Sequence, residues 1–424
     1  MSSQPGKCPG SSKINHCGNQ VGTVAHTKHP SISLFTGAGG LDLGLEKAGF
    51  QVRLCVEKDT ACRSTLRANR PDWPLSTPGD IHLGESSSLM AQAGVQRRQL
   101  SLVSGGPPCQ PWSKASLWTD DGTLGYGDPR AATIDAYFSF VAATLPQALL
   151  LENVPGLASP KGGALKLIEH RLAEINSAHD SVNYRPHAFL VNAADYGVPQ
   201  FRQRLFVLAS IEGKDFSMPS PTHGDGALEY ITAWDAIGHL DNKRWPKELS
   251  PTGRWAGLLP SIPEGHNYQW HTSRMGGEPL FGWRTKYWSF LLKLSKSKPS
   301  WTIPAGPGPS AGPFHWRNRL LSVEELAALQ TFPEDYRFDA SRHISHRQIG
   351  NAVPSAIGEL LGLEIRRQFF GERVRRTLRL LPERASRPIP RRHPVRPVPK
   401  EFLHLRGKHA AHPGTGKGPS PRRR

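Results

Sequence analysis

The chain has 424 residues and a formal net charge of +18, enough for a sizeable core and two domains, with a polyanionic partner implied. Cysteines stand only at 8, 17, 55, 62 and 109, without a CxxC pair, which argues against a disulfide framework and a structural zinc site, so no metal is expected. No signal peptide or apolar run of membrane-spanning length is visible, so a soluble, intracellular protein with no membrane partner is expected. The high Arg, Pro and Ala content hints at a bacterial gene, and a cytoplasmic monomer is the expectation. The charge is uneven. Residues 371–424 hold 16 Lys and Arg against 3 acids (+13), leaving 37 against 32 (+5) for the rest.

Residues 1–30 are rich in Gly, Ser, Lys and His and read as a flexible arm. Residues 32–35 form a first buried strand. Gly37, Gly39 and Gly40 then permit a tight turn and close approach of a ligand, and Leu41, Leu45 and Ala48 recur at helical spacing. Strand, glycine turn and helix make a cradle whose helix N-terminus favours a ligand carboxylate, although the turn alone is equally compatible with a dinucleotide fold. Residues 54–56 form a second strand ending in Glu57, an acid placed to bind ribose hydroxyls. The GK[ST] ending of a phosphate loop is absent.

The apolar run 100–103 reads as a buried strand, stopped abruptly by Gly105-Gly106-Pro107-Pro108. Each proline fixes its own φ and restricts the residue before it, so Cys109 is delivered stiffly from a strand end, where ligands collect in open α/β sheets. A thiol held this way suits nucleophilic catalysis. Residues 111–130 are polar and glycine-rich, with Trp112, Trp118 and Tyr126, and read as a lid. A helix over 131–145 leads to a strand over 148–151, and Glu152-Asn153-Val154-Pro155 repeats the Cys109 device: a polar residue leaves a buried strand and a proline stops the run. Two such ends bring Cys109 and Glu152 to one cleft.

A helix over 165–175 and a strand over 184–191 follow. In the extended segment 200–204, Arg202 and Arg204 alternate and so share a face, and paired guanidiniums suit phosphate or a base carbonyl. Residues 211–317 lose periodicity and interleave Trp270, Arg274, Trp283, Arg284, Lys286, Tyr287, Trp288, Lys293, Lys296, Lys298 and Trp301, as a nucleic-acid surface would, with about half the tryptophans reserved for a small core. Ser322 and Glu325 form a capping box ahead of a helix in 318–333. Gly350 and Asn351 predict a tight turn before a helix reaching 369, and the Pro- and Arg-rich stretch 371–424 reads as a disordered basic tail.

Gly105 to Gln110 resembles the catalytic signature of the DNA (cytosine-5) methyltransferases, bacterial restriction-modification type. Blocks at 33–44, 57, 80–81, 152–154, 200–204, 319–333 and 348–354 match in the family's order, framing residues 31 to 366. Three positions depart from the family's habit: Trp112 replaces a usual Phe, and Glu324 and Ala328 stand where arginines are common. The resemblance implies an α/β fold: the S-adenosylmethionine-dependent, Rossmann-like mixed sheet. It divides the large domain into 31–210 and 318–370, around a target-recognition domain at 211–317. It also implies S-adenosylmethionine as cofactor, met by Phe35, Gly37, Gly39, Gly40, Glu57, Lys58, Asp80, Ile81, Pro108, Asn351, Ala352 and Val353. Cys109, Glu152, Arg202 and Arg204 are the implied catalytic set. Gln110, Ser113, Arg130, Arg274, Arg284 and Lys286 are the candidate contacts to double-stranded DNA. Methylation of cytosine C5, paired functionally with a restriction endonuclease, is the expected activity. An RNA cytosine methyltransferase and a non-catalytic DNA-binding homologue are the alternatives, with the length of 211–317 favouring DNA and the intact Cys109 and Glu152 favouring catalysis.

Overall fold

The computed structural model describes residues 29–108, 132–158, 164–241, 244–283, 287–385 and 388–409. Its centre is a six-stranded sheet built from β1 (His29–Leu34), β2 (Phe50–Val56), β3 (Leu102–Gly105), β4 (Ala148–Asn153), β5 (His187–Asn192) and β7 (Gln203–Ser210), in the order β2-β1-β3-β4-β7-β5. Strands β2, β1, β3 and β4 run parallel, and β7 enters antiparallel to both β4 and β5. The order reverses between β1 and β3, which opens a crevice at the carboxyl ends of those strands. Strands β3 and β4 are buried along their whole length because helices cover both faces. Strand β1 begins at His29, two residues inside the segment read as an arm.

On one face lie α3 (Ser86–Ala93), α4 (Ala132–Thr144) and α5 (Ala164–Ser177), whose apolar sides pack on Ile32, Val103, Leu149 and Val207. On the other lie α1 (Gly40–Lys47) and α9 (Ser355–Gln368). These two helices touch backbone to backbone. A Cβ on Gly44 would overlap the Ser355 carbonyl and the Glu359 amide, and one on Gly358 would overlap the Leu41 carbonyl. Residues more than three hundred positions apart in the chain are thereby packed together on one face of the sheet. The third helix group is α2 (Thr60–Asn69), α6 (Ala233–Ile237), α7 (Val323–Leu329) and α8 (Arg342–Asn351). The expected capping box is formed at α7, where Ser322 and Glu325 satisfy each other's backbone amides.

Outside the sheet, a second core gathers Leu258, Leu259, Ile262, Tyr268, Leu280, Leu291 and Phe314. It is held by short 3-10 turns, and a two-stranded ribbon of β6 (Gln200–Phe201) and β8 (Ser300–Trp301) ties it to the large domain. Residues 233–237 belong to a different cluster. Trp234 and Ile237 pack with Leu326, Leu329 and Trp316, and with Leu66 and Trp73 of the large domain.

The described part of the expected disordered tail is ordered. Arg376 and Arg379 reach the carboxylates of Glu364 and Glu359, both fully buried on α9, and the amides of Arg379 and Leu380 also bond to Glu359. Further on, the Ala385 amide donates to Asp235, and that of His393 to Glu264. A 3-10 turn at Lys400–Leu405 then inserts Phe402 into the second core, against Trp255. Composition alone had pointed to disorder. The ordering comes from buried acids and one aromatic that this segment satisfies.

Candidate active site

The crevice at the strand ends holds a cavity of about 510 Å³. Its floor is the turn after β1. Phe35, Gly37 and Gly39 have φ of 56°, 58° and 78°, a left-handed path that reverses the chain into α1 and is easy for glycine. The Gly37 amide donates to Glu57 Oε2 at 2.7 Å and the Asp59 amide to Oε1 at 2.7 Å, so the acid at the tip of β2 is fixed by backbone from two sides. Asp80 and Ile81 line the same cavity, and Lys58 approaches Asp80 at 3.7 Å.

One wall is the pair of strand ends expected from the sequence. Strand β3 runs out through Gly106, Pro107 and Pro108, and β4 delivers Glu152, Asn153 and Val154 beside it. The Asn153 side-chain amide, through Nδ2, donates to the Pro107 carbonyl at 3.0 Å and so anchors the turn leading to Cys109. A Cβ on Gly106 would lie 3.0 Å from Glu152 Oε2, which shows how closely this backbone covers the carboxyl group. Arg204 Nε meets Glu152 Oε1 at 3.1 Å. Burial pushes the Glu152 carboxyl up from the usual range, and the Arg204 and Arg202 guanidiniums pull it partly back. Cys109, Gln110, Ser113 and Arg130 lie outside the described residues, as do Trp112, Trp118 and Tyr126.

The two arginines part company. Arg204 lines the cavity. Arg202 is 1% exposed, and its guanidinium donates to the carbonyls of Ile303 at 3.2 Å, Gly350 at 2.8 Å and Ala352 at 2.9 Å. The alternation argument fails because Arg202 sits in the break between β6 and β7, where strand parity is lost. Arg202 therefore supports the cavity from behind and does not line it.

The late block closes the other wall with Asn351, Ala352 and Val353. Gly350 and Asn351 are the last turn of α8 and not a separate tight turn. A Cβ on Gly40 would overlap the Val353 carbonyl oxygen, so this glycine serves close approach between the first and last blocks. Among the lining residues not singled out from the sequence are Asp42 and Gln348, which stand inside the matched blocks 33–44 and 348–354, and Arg347. Asp42 on α1 accepts from Ser104 of β3 at 3.3 Å, and burial raises its carboxyl to about 7. Gln348 accepts from Thr65 at 3.0 Å, and Arg347 pairs with Asp59 at 2.9 Å. A lone acid among the apolar residues 40–45 that open α1 was the available signal for Asp42.

In the second core, Arg274 stacks over Trp283 at 5.0 Å. Arg284 and Lys286 lie outside the described residues. Tyr287 and Trp288 are 45% and 44% exposed, while Trp234 and Trp316 are buried. Two lysines expected on a phosphate-facing surface are instead buried. Lys293 donates to the Leu259 and Ile262 carbonyls, and burial lowers its amine to about 7. Lys296 pairs with Glu264. Their role is to satisfy backbone and carboxylate groups inside the small domain.

Sheet order, glycine loop and acid-tipped second strand define the α/β class that binds a nucleotide-like group at the switch point of the sheet. Residues 30–367 match the model of the C-5 cytosine-specific DNA methylase family, and the chain belongs to that family as a DNA (cytosine-5) methyltransferase. Type II methyltransferase M.SacI of Streptomyces achromogenes is 34% identical over 364 residues, covering 78% of this chain and 91% of the relative. Type II methyltransferase M1.HphI of Haemophilus parahaemolyticus is 31% identical over 349 residues, covering 78% and 84%. Among solved structures, a putative DNA modification methyltransferase encoded within an E. coli prophage superposes with a TM-score of 0.56 at 22% identity, covering 81% of this chain and all of the other. That likeness speaks to the fold. Among the described residues, no helix is long and apolar enough to cross a membrane.

Proposed function

We propose that this enzyme methylates C5 of a cytosine flipped out of duplex DNA, with S-adenosylmethionine held in the cavity, and that it serves beside a restriction endonuclease. The convergence of the Glu152–Arg204 pair, its acid buried, with the glycine-loop cavity, next to the strand end that leads to Cys109, carries this reading. The Type II designation of the similar methyltransferases supports the endonuclease pairing.

The residues present fit the cofactor. S-adenosylmethionine needs an apolar slot for its adenine, an acceptor for its ribose hydroxyls, and polar groups for its amino-acid end. The cavity offers Phe35 and Ile81, the carboxylates of Glu57 and Asp80, and the backbone at the start of α1. Glu57 would hold the ribose, Asp80 and Ile81 the adenine, and Val353 would close the pocket beside Gly40. When bound, S-adenosylmethionine supplies an electrophilic methyl group.

Cytosine C5 is too weak a nucleophile to take that methyl group unaided. Addition of the Cys109 thiolate to C6 gives C5 enamine character. Glu152 holds the N3 edge, and the burial that raises its carboxyl favours the protonated form, which donates to N3 as charge develops. Arg204 keeps that carboxyl in place and faces the base oxygen. After C5 is methylated, loss of its proton to a base and elimination of Cys109 restore the ring. A base that must meet two strand ends and a cofactor cannot remain stacked, so the cytosine leaves the duplex. Sequence choice belongs to the small domain, through residues such as Arg274.

Bisulfite sequencing of host DNA after expression of the chain tests the activity. Protected cytosines in one sequence context are expected, and uniform conversion despite soluble protein would refute it. A duplex carrying 5-fluorocytosine at that site should form a covalent adduct on Cys109, since fluorine blocks the final elimination. An adduct on another residue would overturn the assigned nucleophile.

A further inference from the structure

One buried acid in the cavity wall has no part in the chemistry just described. Asp42 lines the cavity, is 2% exposed and stands in the first turn of α1. It sits against Ser33 of β1 and Ser104 of β3, paired neighbours at the point where the strand order reverses. Both hydroxyls donate to its carboxyl group, that of Ser104 at 3.3 Å. The other described acids of the cavity are already engaged. Asp59 faces Arg347, Asp80 faces Lys58 and Glu152 faces Arg204. Glu57 takes the backbone amides of Gly37 and Asp59. Asp42 has neutral hydroxyls for partners, and the charge acting on it from α1 is a second acid, Glu46. Cys55 of β2 and Tyr336 also face it, and neither is a cation. Glu359, on the helix packed against α1, is paired with Arg379.

We propose that Asp42 recognises the ammonium group at the amino-acid end of S-adenosylmethionine, while the backbone amides at the start of α1 take the carboxylate of that end. The inference rests on the cofactor assignment made above. An amino-acid group carries both charges, so a cavity that seats it needs an anion as well as donors. A helix N-terminus supplies donors alone, which suits the carboxylate and disfavours the ammonium. Asp42 is the cavity acid that stands on the same first turn as those amides, with neutral partners. A carboxyl group shut away from water without a cation is costly to ionise, and burial raises this one to about 7 against the pull of the two serines. An ammonium brought against it reverses that balance and favours the carboxylate. Asp42 therefore gives up its proton when the site fills, wherever the pH lies below about 7.

The test measures binding of S-adenosylhomocysteine, which keeps the amino-acid end, and of methylthioadenosine, which lacks it. Calorimetry is run at pH 6 and pH 8, in buffers of different ionisation enthalpy. Wild-type protein should bind S-adenosylhomocysteine roughly tenfold more weakly at pH 6, because a carboxyl group titrating near 7 is about nine-tenths protonated there and must lose that proton. Release of about one proton should appear at pH 6 as a buffer-dependent enthalpy. Asp42→Asn keeps the shape, yet should abolish the proton release and weaken S-adenosylhomocysteine at pH 8 by roughly tenfold or more, the scale of a lost charge-assisted bond. Methylthioadenosine should bind both proteins alike at either pH. Equal losses for the two ligands would mean that Asp42 only shapes the pocket, and would overturn the proposal. Proton release of the same size in Asp42→Asn would overturn it too. If Asp42→Asn does not fold, Ser104→Ala serves, since it removes a donor to the carboxylate and should move the midpoint of the pH dependence upward; an unmoved midpoint counts against Asp42. Wild-type affinity that is equal at both pH values refutes the role of Asp42 alone, whereas no binding at either pH refutes the cofactor assignment.

Discussion

Replacing Phe402 by Ala should destabilise the small domain, although residue 402 lies beyond the 30–367 span that matches the family. Phe402 is 6% exposed, stacks on Trp255 at 5.7 Å and 22°, and belongs to the cluster of Leu258, Leu259, Ile262 and Tyr268. A buried Phe→Ala change costs about 3–5 kcal/mol, and a site at the edge of a cluster falls near the lower end, about 3 kcal/mol. That corresponds to a fall in Tm of roughly 12–24 °C for a cooperative unit of about 100 residues, the size of the small domain. Differential scanning calorimetry, with intrinsic fluorescence to follow Trp255, gives the measurement. Truncation after residue 387 should be at least as harmful, because it also removes the His393 amide bonded to Glu264. If instead the segment is only a phosphate-binding tail, the truncated protein will show a shallower salt dependence of DNA affinity with an unchanged Tm. That result would refute the packing argument.

Glu152→Gln should slow single-turnover methylation by roughly 10²–10⁴-fold while leaving duplex affinity within a few-fold, because the amide keeps the shape but not the proton; an unchanged rate would remove Glu152 from catalysis. Gly40→Ala should weaken S-adenosylhomocysteine binding by roughly 10–100-fold, since the new methyl group meets the Val353 carbonyl and overpacking costs about 1–3 kcal/mol; wild-type affinity in calorimetry would show that the two blocks are not in contact. Asp42 is protonated in the folded protein up to about 7 but ionises near 4 in the unfolded chain, so its contribution is complete below the unfolded value and is lost as pH rises toward 7. Asp42→Asn should therefore gain stability relative to wild type between pH 5 and pH 7 in urea titrations, and parallel curves would contradict the assigned shift.

The parts of this fold that were legible in the sequence are those set by local chemistry. Short apolar runs cut off by glycine and proline located β1, β3 and β4, and with them the ends that carry the glycine turn, the Pro-Pro turn and Glu152. The capping box at Ser322 needs only residues three apart. What failed depended on distant partners. Lys293 and Lys296 read as phosphate contacts because their acceptors, the carbonyls of Leu259 and Ile262 and the carboxylate of Glu264, are some thirty residues away. The arginines of the C-terminal segment read as a solvated tail because their acids lie on α9. A clue was present there. Glu359 and Glu364 interrupt a buried run, 355–365, otherwise built of Ser, Ala, Ile, Gly and Leu, and buried acids at such positions require a cation or amide from elsewhere.

The same reasoning explains why two arginines two positions apart take such different work. A guanidinium beside Glu152 lowers its proton affinity, and burial raises it, so the carboxyl's state depends on how much positive charge stands close by. Arg204 alone makes the direct contact, through Nε at 3.1 Å. Were Arg202 also turned toward the cavity, a second cation at contact distance would favour the carboxylate, which cannot donate to the N3 of cytosine. Its engagement with the carbonyls of 303, 350 and 352 holds that charge behind the wall. The break between β6 and β7 separates the two arginines, so an irregularity in the backbone leaves Arg204 in contact with Glu152 while Arg202 supports the late block from behind.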